Sequence, residues 1–505
     1  MTLLRLPVAR ARKRLIGCSR RSPESLFDCA AKGVKELAAW QTMPPLFLAA
    51  FKTSALPLLQ RLEKGKACSQ QLQDMRHARS YPVATQVCAL DDDEWEKSID
   101  DEVAALLALV NTHQLEARAS SLNGGKSCSF RPGHHTGPDA IMGCANYHAW
   151  LDFANGETWL ARIPRKQFSD VPDALVEYLV QSEYATLRFL EGTSVPAPRA
   201  YGFGLESEAS DAVGVSYLLL EVLPGKPWQS HDCTVEQKQR VYEQYAGILA
   251  EIKRHSLPRI GSLVVIGDDE VDVGPVASNR FINLGRYGPF DDAASYFESI
   301  ARQHLELIAD GQLYPQHRAA AFVYYTALQQ DIQTILKDSD VEDVLPGFYL
   351  KHVDDKGDHL LVDDEGNIKG IIDWQYARCV PACEAFGPSM LTVDLGALYG
   401  DGWGITDDDR RLASVLRSAD EAILARYAEH SDRVKRFHWG LGSGLNEDEI
   451  IGLLKNILVD MDAAHRGNFE QAVAQLAKQL NLESDWPEMK TLMEKCFTDR
   501  STGAK

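Results

Sequence analysis

The chain is 505 residues long, 45% hydrophobic and 25% charged, which fits two to three domains or one large two-lobed enzyme with a sizeable core. Its formal charge of −19 argues against nonspecific nucleic-acid binding, which needs a basic surface, and admits a cationic or metal-bound substrate. The ten cysteines are irregularly spaced; Cys379 and Cys383 are the one close pair, with no second pair nearby to complete a zinc site. No apolar run reaches the ~18 residues that span a bilayer. The expectation is an intracellular, cytoplasmic protein with reduced thiols and no integral membrane association.

The first 22 residues are basic. Arg5, Arg10, Arg12, Lys13, Arg14, Arg20 and Arg21 precede the first acidic residue, Glu24, with Leu3, Leu4, Leu6, Val8, Leu15 and Ile16 interspersed. That composition resembles a mitochondrial transit peptide. An untargeted basic tail is the alternative, because Pro7 interrupts the helix and serines are few. Residues 23–90 hold scattered helical patches, such as 58–75, without a motif, and read as an unassigned extension.

A hairpin follows further on. Tyr147, Ala149, Leu151 and Phe153 alternate with His148, Trp150 and Asp152, then Ala154-Asn155-Gly156-Glu157 forms a turn and Trp159-Leu160-Ala161-Arg162-Ile163 returns. From Asp173 to Glu191 the apolar positions Val176, Val180, Leu187 and Leu190 step at helical intervals, and Glu183 occupies the remaining place in that stripe. Burying an unpaired carboxylate costs several kcal/mol, so Glu183 is expected to find a cation, and the preceding strand offers Arg162. The bland alternative leaves Glu183 at the helix edge in water. Ser216 to Leu223 form a buried-strand run ending at Pro224-Gly225.

Beyond Pro224 the chain reads mostly helical. Thr234 with Gln237 is a capping-box signature before a helix over 235–255, and segments 293–307, 317–336, 410–427 and 469–480 carry helical apolar spacing. Asp407, Asp408, Asp409, Asp420, Glu421, Glu447, Asp448 and Glu449 make the last hundred residues acidic. They read mainly as solvated helix ends, with an amine-bearing acceptor as the sharper alternative.

The most informative stretch runs LKHVDDKGDHLLVDDEGNIKGIIDWQ from Leu350 to Gln375. Leu360, Leu361 and Val362 form one short apolar run and Ile368, Ile371 and Ile372 dominate another, joined by Asp363-Asp364-Glu365-Gly366-Asn367 as a turn. Two strands in a hairpin follow, with Asp354 in the loop entering the first and Asp373 just after the second. Both carboxylates are expected to face one cleft. Phosphoryl transfer needs such a pair, one to orient the attacking hydroxyl and one to hold the metal that bridges nucleotide phosphates. Without turnover in view, the same residues read as an acidic surface hairpin.

Over about residues 128–400 the chain resembles the aminoglycoside phosphotransferase and choline kinase family of kinase-like enzymes, and its fungal branch most. The resemblance rests on His352-Val353-Asp354, the following strand pair and Asp373-Trp374. It implies an α+β, two-lobed protein-kinase-like fold: a small N-lobe with an antiparallel sheet and a helix over 91–223, and a larger, mainly helical C-lobe with the catalytic hairpin over 224–505. It also implies an ATP-dependent phosphotransferase using Mg2+ and a small-molecule acceptor with a hydroxyl group. Asp354 and His352 are then catalytic, and Asp373, His359 and Asp358 lie toward the metal. Arg162 and Glu183 serve the phosphates, Gly143 and Asn146 lie in the nucleotide loop, and Glu221, Val222 and Leu223 form the adenine hinge.

Three positions depart from the family's commonest pattern. His359 stands where an Asn usually helps to hold metal, and magnesium prefers oxygen ligands; either Asp358 beside it supplies the oxygen, or His359 only hydrogen-bonds the loop. Arg162 stands where kinases usually carry a lysine, keeping a fixed charge and a bidentate fork. The segment Ile141-Met142-Gly143-Cys144-Ala145-Asn146 has one glycine where kinases often have three. These departures motivate a second reading, a catalytically weak or inactive kinase-like nucleotide-binding or scaffold protein. A metallohydrolase, suggested by the composition of His352, Asp354, Asp358 and His359, is the third.

Overall fold

The computed structural model describes residues 92–136, 140–165, 172–208, 211–230, 233–267, 270–277, 287–338, 345–399, 405–442, 445–461, 469–480 and 489. The basic N-terminus and the 58–75 patch lie outside the described residues. The chain divides into two compact units, one of residues 1–170 and 204–219, the other of residues 171–203 and 220–505. The class is α+β, as the sequence indicates.

In the first unit, helices α1 (Asp92–Leu109) and α2 (Thr112–Leu122) precede strands β1 (Cys128–Pro132), β2 (Asn146–Phe153) and β3 (Thr158–Pro164). The three strands form an antiparallel meander, with His148 opposite Arg162 and Leu151 opposite Trp159. Tyr147, Ala149, Leu151 and Phe153 are buried, and His148, Trp150 and Asp152 are half-buried. This is the alternation read from the sequence, because successive side chains leave opposite faces of a strand. The Asn-Gly turn closes the hairpin with Gly156 at φ +85, a conformation glycine adopts without steric cost.

One buried ion pair fixes the turn ahead of β2. The Arg165 guanidinium, just past β3, donates from Nε and Nη2 to the two Glu102 carboxylate oxygens of α1 at 2.8 and 2.5 Å. Its Nη1 donates to the carbonyls of Gly143 and Cys144 at 3.2 and 2.9 Å. Within that turn the Gly143 amide donates to the Asn146 carbonyl at 3.1 Å.

The second unit begins with α3 (Asp173–Leu190), on which Glu183 is 4% exposed. The predicted gap in the apolar stripe is thus a buried carboxylate. Leu175 and Leu179 of this helix pack with Ala277 and Tyr376. Strands β4 (Ala200–Gly204) and β5 (Tyr217–Glu221) both run across the division between units. There follow β6 (Lys226–Pro227), α4 (Val235–Arg254), the hairpin β7 (Leu263–Ile266) and β8 (Glu270–Val273), and helices α5 (Ala293–Ala309) and α6 (Arg318–Asp338). The Thr234–Gln237 capping box is formed in full at the start of α4. Helices α5 and α6 start and end within two residues of the expected bounds, as hydrophobic periodicity locates elements better than it locates their ends.

Strand β9 (Phe348–Lys351) leads into β10 (Leu360–Val362) and β11 (Ile368–Ile371), and β12 (Arg378–Pro381) returns to pair antiparallel with β9. Strands β11, β10 and β6 form a three-stranded sheet in that order. The remainder is helical: α7 (Ala382–Ala385), α8 (Leu395–Tyr399), α9 (Asp407–Ser418), α10 (Ala422–Ala428), α11 (Asp432–Gly442), α12 (Glu447–Met461) and α13 (Phe469–Gln479).

Two expectations need correction here. The single helix over 410–427 is two, α9 and α10, because Asp420 turns left-handed at φ +63 and the Glu421 amide donates back to the Leu416 carbonyl at 2.8 Å. Aspartate tolerates that region better than most residues. Asp409 is not solvated: it is 4% exposed, completes a capping box with Thr406, and pairs with the Lys435 ammonium at 2.6 Å.

Two outcomes follow from these buried groups. Glu102→Ala takes the carboxylate away from the buried Arg165 guanidinium, and is expected to cost up to about 3–5 kcal/mol of stability in a denaturant titration; a loss below about 1 kcal/mol, the range of an exposed pair, would refute the role given to the pair. His438 on α11 is 4% exposed, and neither ring nitrogen finds a hydrogen-bond partner among the described residues. Burial pushes its pKa down to about 3. The unfolded chain therefore takes up a proton near the ordinary histidine range that the folded chain refuses, so stability falls as pH drops from about 6.5 toward that value. His438→Phe should flatten the fall by up to one proton, about 1.4 kcal/mol per pH unit, measured as unfolding free energy against pH. An unchanged slope would contradict the assignment.

Candidate active site

The segment from His352 to Trp374 is built around one residue, Ile372. His352 is 7% exposed and its Nε2–H donates to the Ile372 carbonyl at 2.9 Å. The Ile372 amide donates to the His359 carbonyl at 2.9 Å. These bonds join the loop before β10 to the residue that precedes Asp373. The hairpin between them pairs Leu360 with Ile371 and Leu361 with Gly370, then shifts register before Val362. Its turn is held by the Asp363 carboxylate, which accepts from the amides of Glu365 and Asn367 at 3.1 and 2.7 Å. The Lys369 ammonium, with Asn367, keeps the Asp363 carboxyl well below the usual carboxylate range. Asp363 builds the turn and lies outside the reactive group.

The result is the convergence expected from the sequence. His359 ends a short 3₁₀ turn, Gly357–His359, and its ring lies between the two aspartates. Nδ1–H donates to the Asp354 carbonyl at 2.9 Å and stands 3.7 Å from Asp354 Oδ2. Nε2 stands 3.4 Å from Asp373 Oδ2. Both carboxylates are reachable by solvent, their side chains 44% and 39% exposed, while the His359 side chain is 13% exposed. Asp358 sits on the same turn, half-exposed, with Oδ2 3.8 Å from Lys356 Nζ.

Asp373 has φ +66. A non-glycine residue held there carries strain of the order of 1–3 kcal/mol, and such residues cluster where geometry serves function. The next residue explains how the turn is kept. Trp374 is buried, its Nε1–H donates to the Ile371 carbonyl at 2.8 Å, and its ring meets His352 edge-on with centroids 4.6 Å apart. Burial lowers the His352 pKa, against the opposing pull of the Ile372 carbonyl. The ring is therefore neutral near pH 7, with its proton on Nε2, and acts as a brace.

Two residues with a part in this geometry escaped the sequence reading. Lys356 Nζ lies 3.0 Å from Asp354 Oδ2; burial lowers its pKa, the Asp354 and Asp358 carboxylates raise it, and the net direction is up. It is a fixed positive charge beside Asp354. Asp355 turns the other way, accepting from the Met390 amide at 2.7 Å and the Tyr245 hydroxyl at 3.0 Å. It anchors the loop to α4 and lines a cavity with Tyr245, His352, Lys356 and Trp374. The lysine two positions after Asp354 was a visible signal; nothing in the spacing separates Asp355 from Asp354.

Leu223, at the end of the run expected to meet adenine, lies beside this hairpin. Gly370 of β11 approaches the Leu223 side chain so closely that a Cβ would stand 2.2 Å from Leu223 Cδ1. Val222 is 40% exposed, an accessible apolar side chain, and the Glu221 amide donates to the Arg199 carbonyl at 2.9 Å. Arg162, 6% exposed, and the Gly143 to Asn146 turn belong to the first unit, and Glu183 to the second.

Carboxylate oxygens of Asp354 and Asp373 that solvent reaches flank one imidazole, and Asp358 lies on the same short turn as that histidine. Among the described residues no group of three or more His, Cys, Asp or Glu side chains stands in metal-binding arrangement. Such a site matches the ions of nucleotide-dependent enzymes, which take one or two carboxylates from the protein and the rest from phosphates and water.

Comparison with known proteins agrees with this chemistry. Residues 143–430, more than half of the chain, match the phosphotransferase enzyme family, and the chain belongs to that family. It is 25% identical over 238 residues to the clavilactone A biosynthesis cluster protein Y of Ampulloclitocybe clavipes, a match that covers 45% of this chain and 57% of that protein. The chain thus spans little more than half the length of this curated relative. Among solved structures it is similar to a Ralstonia eutropha JMP134 protein described as an aminoglycoside phosphotransferase, at 16% identity and a TM-score of 0.41, covering 76% of this chain and 99% of that one. It is also similar to the ethanolamine kinase of Plasmodium vivax, at 11% identity and a TM-score of 0.37, covering 72% and 84%. The family match, and not these distant likenesses, carries the assignment. Among the described residues no helix is long and apolar enough to cross a membrane.

Proposed function

We propose that this protein is an ATP-dependent phosphotransferase that transfers the γ-phosphate to a hydroxyl group of a small-molecule acceptor. The observation that carries the reading is the convergence of Asp354 and Asp373 on the two nitrogens of one histidine, His359, at 3.7 and 3.4 Å. Asp354 accepts the acceptor's hydroxyl proton, aiming the oxygen lone pair at the γ-phosphorus. The acceptor O–P bond forms as the bond to the β–γ bridging oxygen breaks, and ADP leaves with the electron pair. Lys356 holds a positive charge beside Asp354, where it would offset the negative charge that gathers on the phosphoryl oxygens. Asp373, with Asp358 and His359 beside it, would hold Mg2+. When bound, that ion supplies positive charge across the nucleotide phosphates.

By the same reading Arg162, the Gly143 to Asn146 turn and Glu183 would serve the phosphates, and Glu221, Val222 and Leu223 would meet adenine. A binding protein without turnover is the second reading, favoured by the Lys356–Asp354 pair and by His359 in place of an amide. Nucleotide binding with no phosphate consumption in the presence of a broad acceptor panel would select it.

Asp354→Ala is expected to lower acceptor-dependent ATP consumption by about 10²–10⁴-fold while leaving nucleotide affinity nearly intact, read by a coupled ADP assay and a binding titration. Turnover at the wild-type rate would remove Asp354 from the mechanism. Asp373→Ala, with Asp373→Asn as a control that tolerates the left-handed backbone, should abolish the magnesium dependence of nucleotide affinity. An affinity that still climbs with magnesium in both variants would place the metal elsewhere.

A further inference from the structure

The reading above sets His359 beside the metal, and the hydrogen bonds of its ring say which nitrogen would face the ion. A backbone carbonyl only accepts, so the 2.9 Å contact with the Asp354 carbonyl fixes the proton on Nδ1. In the neutral ring Nε2 then presents a lone pair, and it presents it 3.4 Å from Asp373 Oδ2. The lone pair and that carboxylate oxygen can then face one cation together, whereas a protonated ring would donate to Asp373 instead. A histidine whose far N–H is anchored on a carbonyl is also how proteins hold imidazole metal ligands, because the anchor fixes the tautomer and the ring direction. The His359 backbone is fixed as well, its carbonyl accepting from the Ile372 amide. With its side chain only 13% exposed, the ring is held where it stands.

We propose that His359 Nε2 and Asp373 together coordinate the divalent ion that accompanies the nucleotide, and that the site therefore prefers manganese or a neighbouring first-row transition ion to magnesium. The inference rests on the nucleotide-binding part of the function proposed above. Magnesium is hard, demands oxygen donors and dehydrates reluctantly. Imidazole suits transition-series divalent ions, whose affinity for nitrogen rises along the row from manganese to copper. One nitrogen and one carboxylate from the protein, with phosphate oxygens and water completing the shell, make a mixed-donor site. An amide at position 359 would restore an all-oxygen one.

The test uses the full chain with Mn2+ and the β,γ-methylene analogue of ATP, which has no bridging nitrogen. Electron spin-echo modulation of the bound Mn2+ should show a directly coordinated imidazole nitrogen that changes when the histidines carry ¹⁵N, and His359→Asn should lose it. Affinity for the Mn2+ complex of the analogue should exceed that for the Mg2+ complex on the order of tenfold, both measured at saturating metal, and His359→Asn should bring the two affinities together. Equal affinities in the wild-type chain, or bound Mn2+ without nitrogen modulation, would overturn the inference while leaving the phosphotransferase reading intact. Failure of the analogue to bind with either ion would overturn both. The wild-type spectrum decides the question even if the variant does not fold.

Discussion

Everything at the candidate site hangs on the main chain of Ile372. Its carbonyl accepts a hydrogen bond from the buried His352 ring and its amide donates to the carbonyl of the half-buried His359. A net hydrogen bond is worth only about 0.5–1.5 kcal/mol, yet this pair sets the positions of two loops that the hairpin alone leaves loosely related. Remove either bond and a buried polar group is left unmatched, which costs more than the bond contributes. The side chains of the two aspartates stay accessible to solvent beside this braced backbone.

The same division of labour recurs elsewhere. Buried charges elsewhere in the chain are matched in pairs: Glu102 with Arg165, Asp409 with Lys435, and Glu384 with Arg378. The first two join segments distant in sequence and the third closes a short local turn; desolvation consumes much of the attraction in such pairs. Asp355 belongs with them, although it neighbours Asp354 in the chain. Adjacent residues on an irregular loop point apart, and that direction decides which carboxylate is a brace and which a reagent.

What the sequence made legible is what periodicity and short-range chemistry control. The β2–β3 and β10–β11 hairpins follow from alternation and turn residues, the buried Glu183 from a gap in a helical stripe, and the α4 cap from Thr234 and Gln237. The break at Asp420 was hidden because apolar spacing continues across it, and only the backbone shows the left-handed residue. The burial of Asp409 was hidden for a related reason: its partner Lys435 lies on another helix, and no local pattern announces a long-range pair. At the site, the motif placed Asp354, His359 and Asp373 together. It was silent on Lys356 and on the split between Asp354 and Asp355, which depend on how the loop packs against α4.

The left-handed backbone at Asp373 has a consequence for how this position can vary. Glutamate would keep the charge, but its longer stem prefers ordinary right-handed or extended geometry, so it meets a steric penalty before its carboxylate reaches any ion. Asparagine and glycine accept the turn freely and surrender the charge. Drift at this position therefore has two easy exits, both of which keep the fold and silence the chemistry.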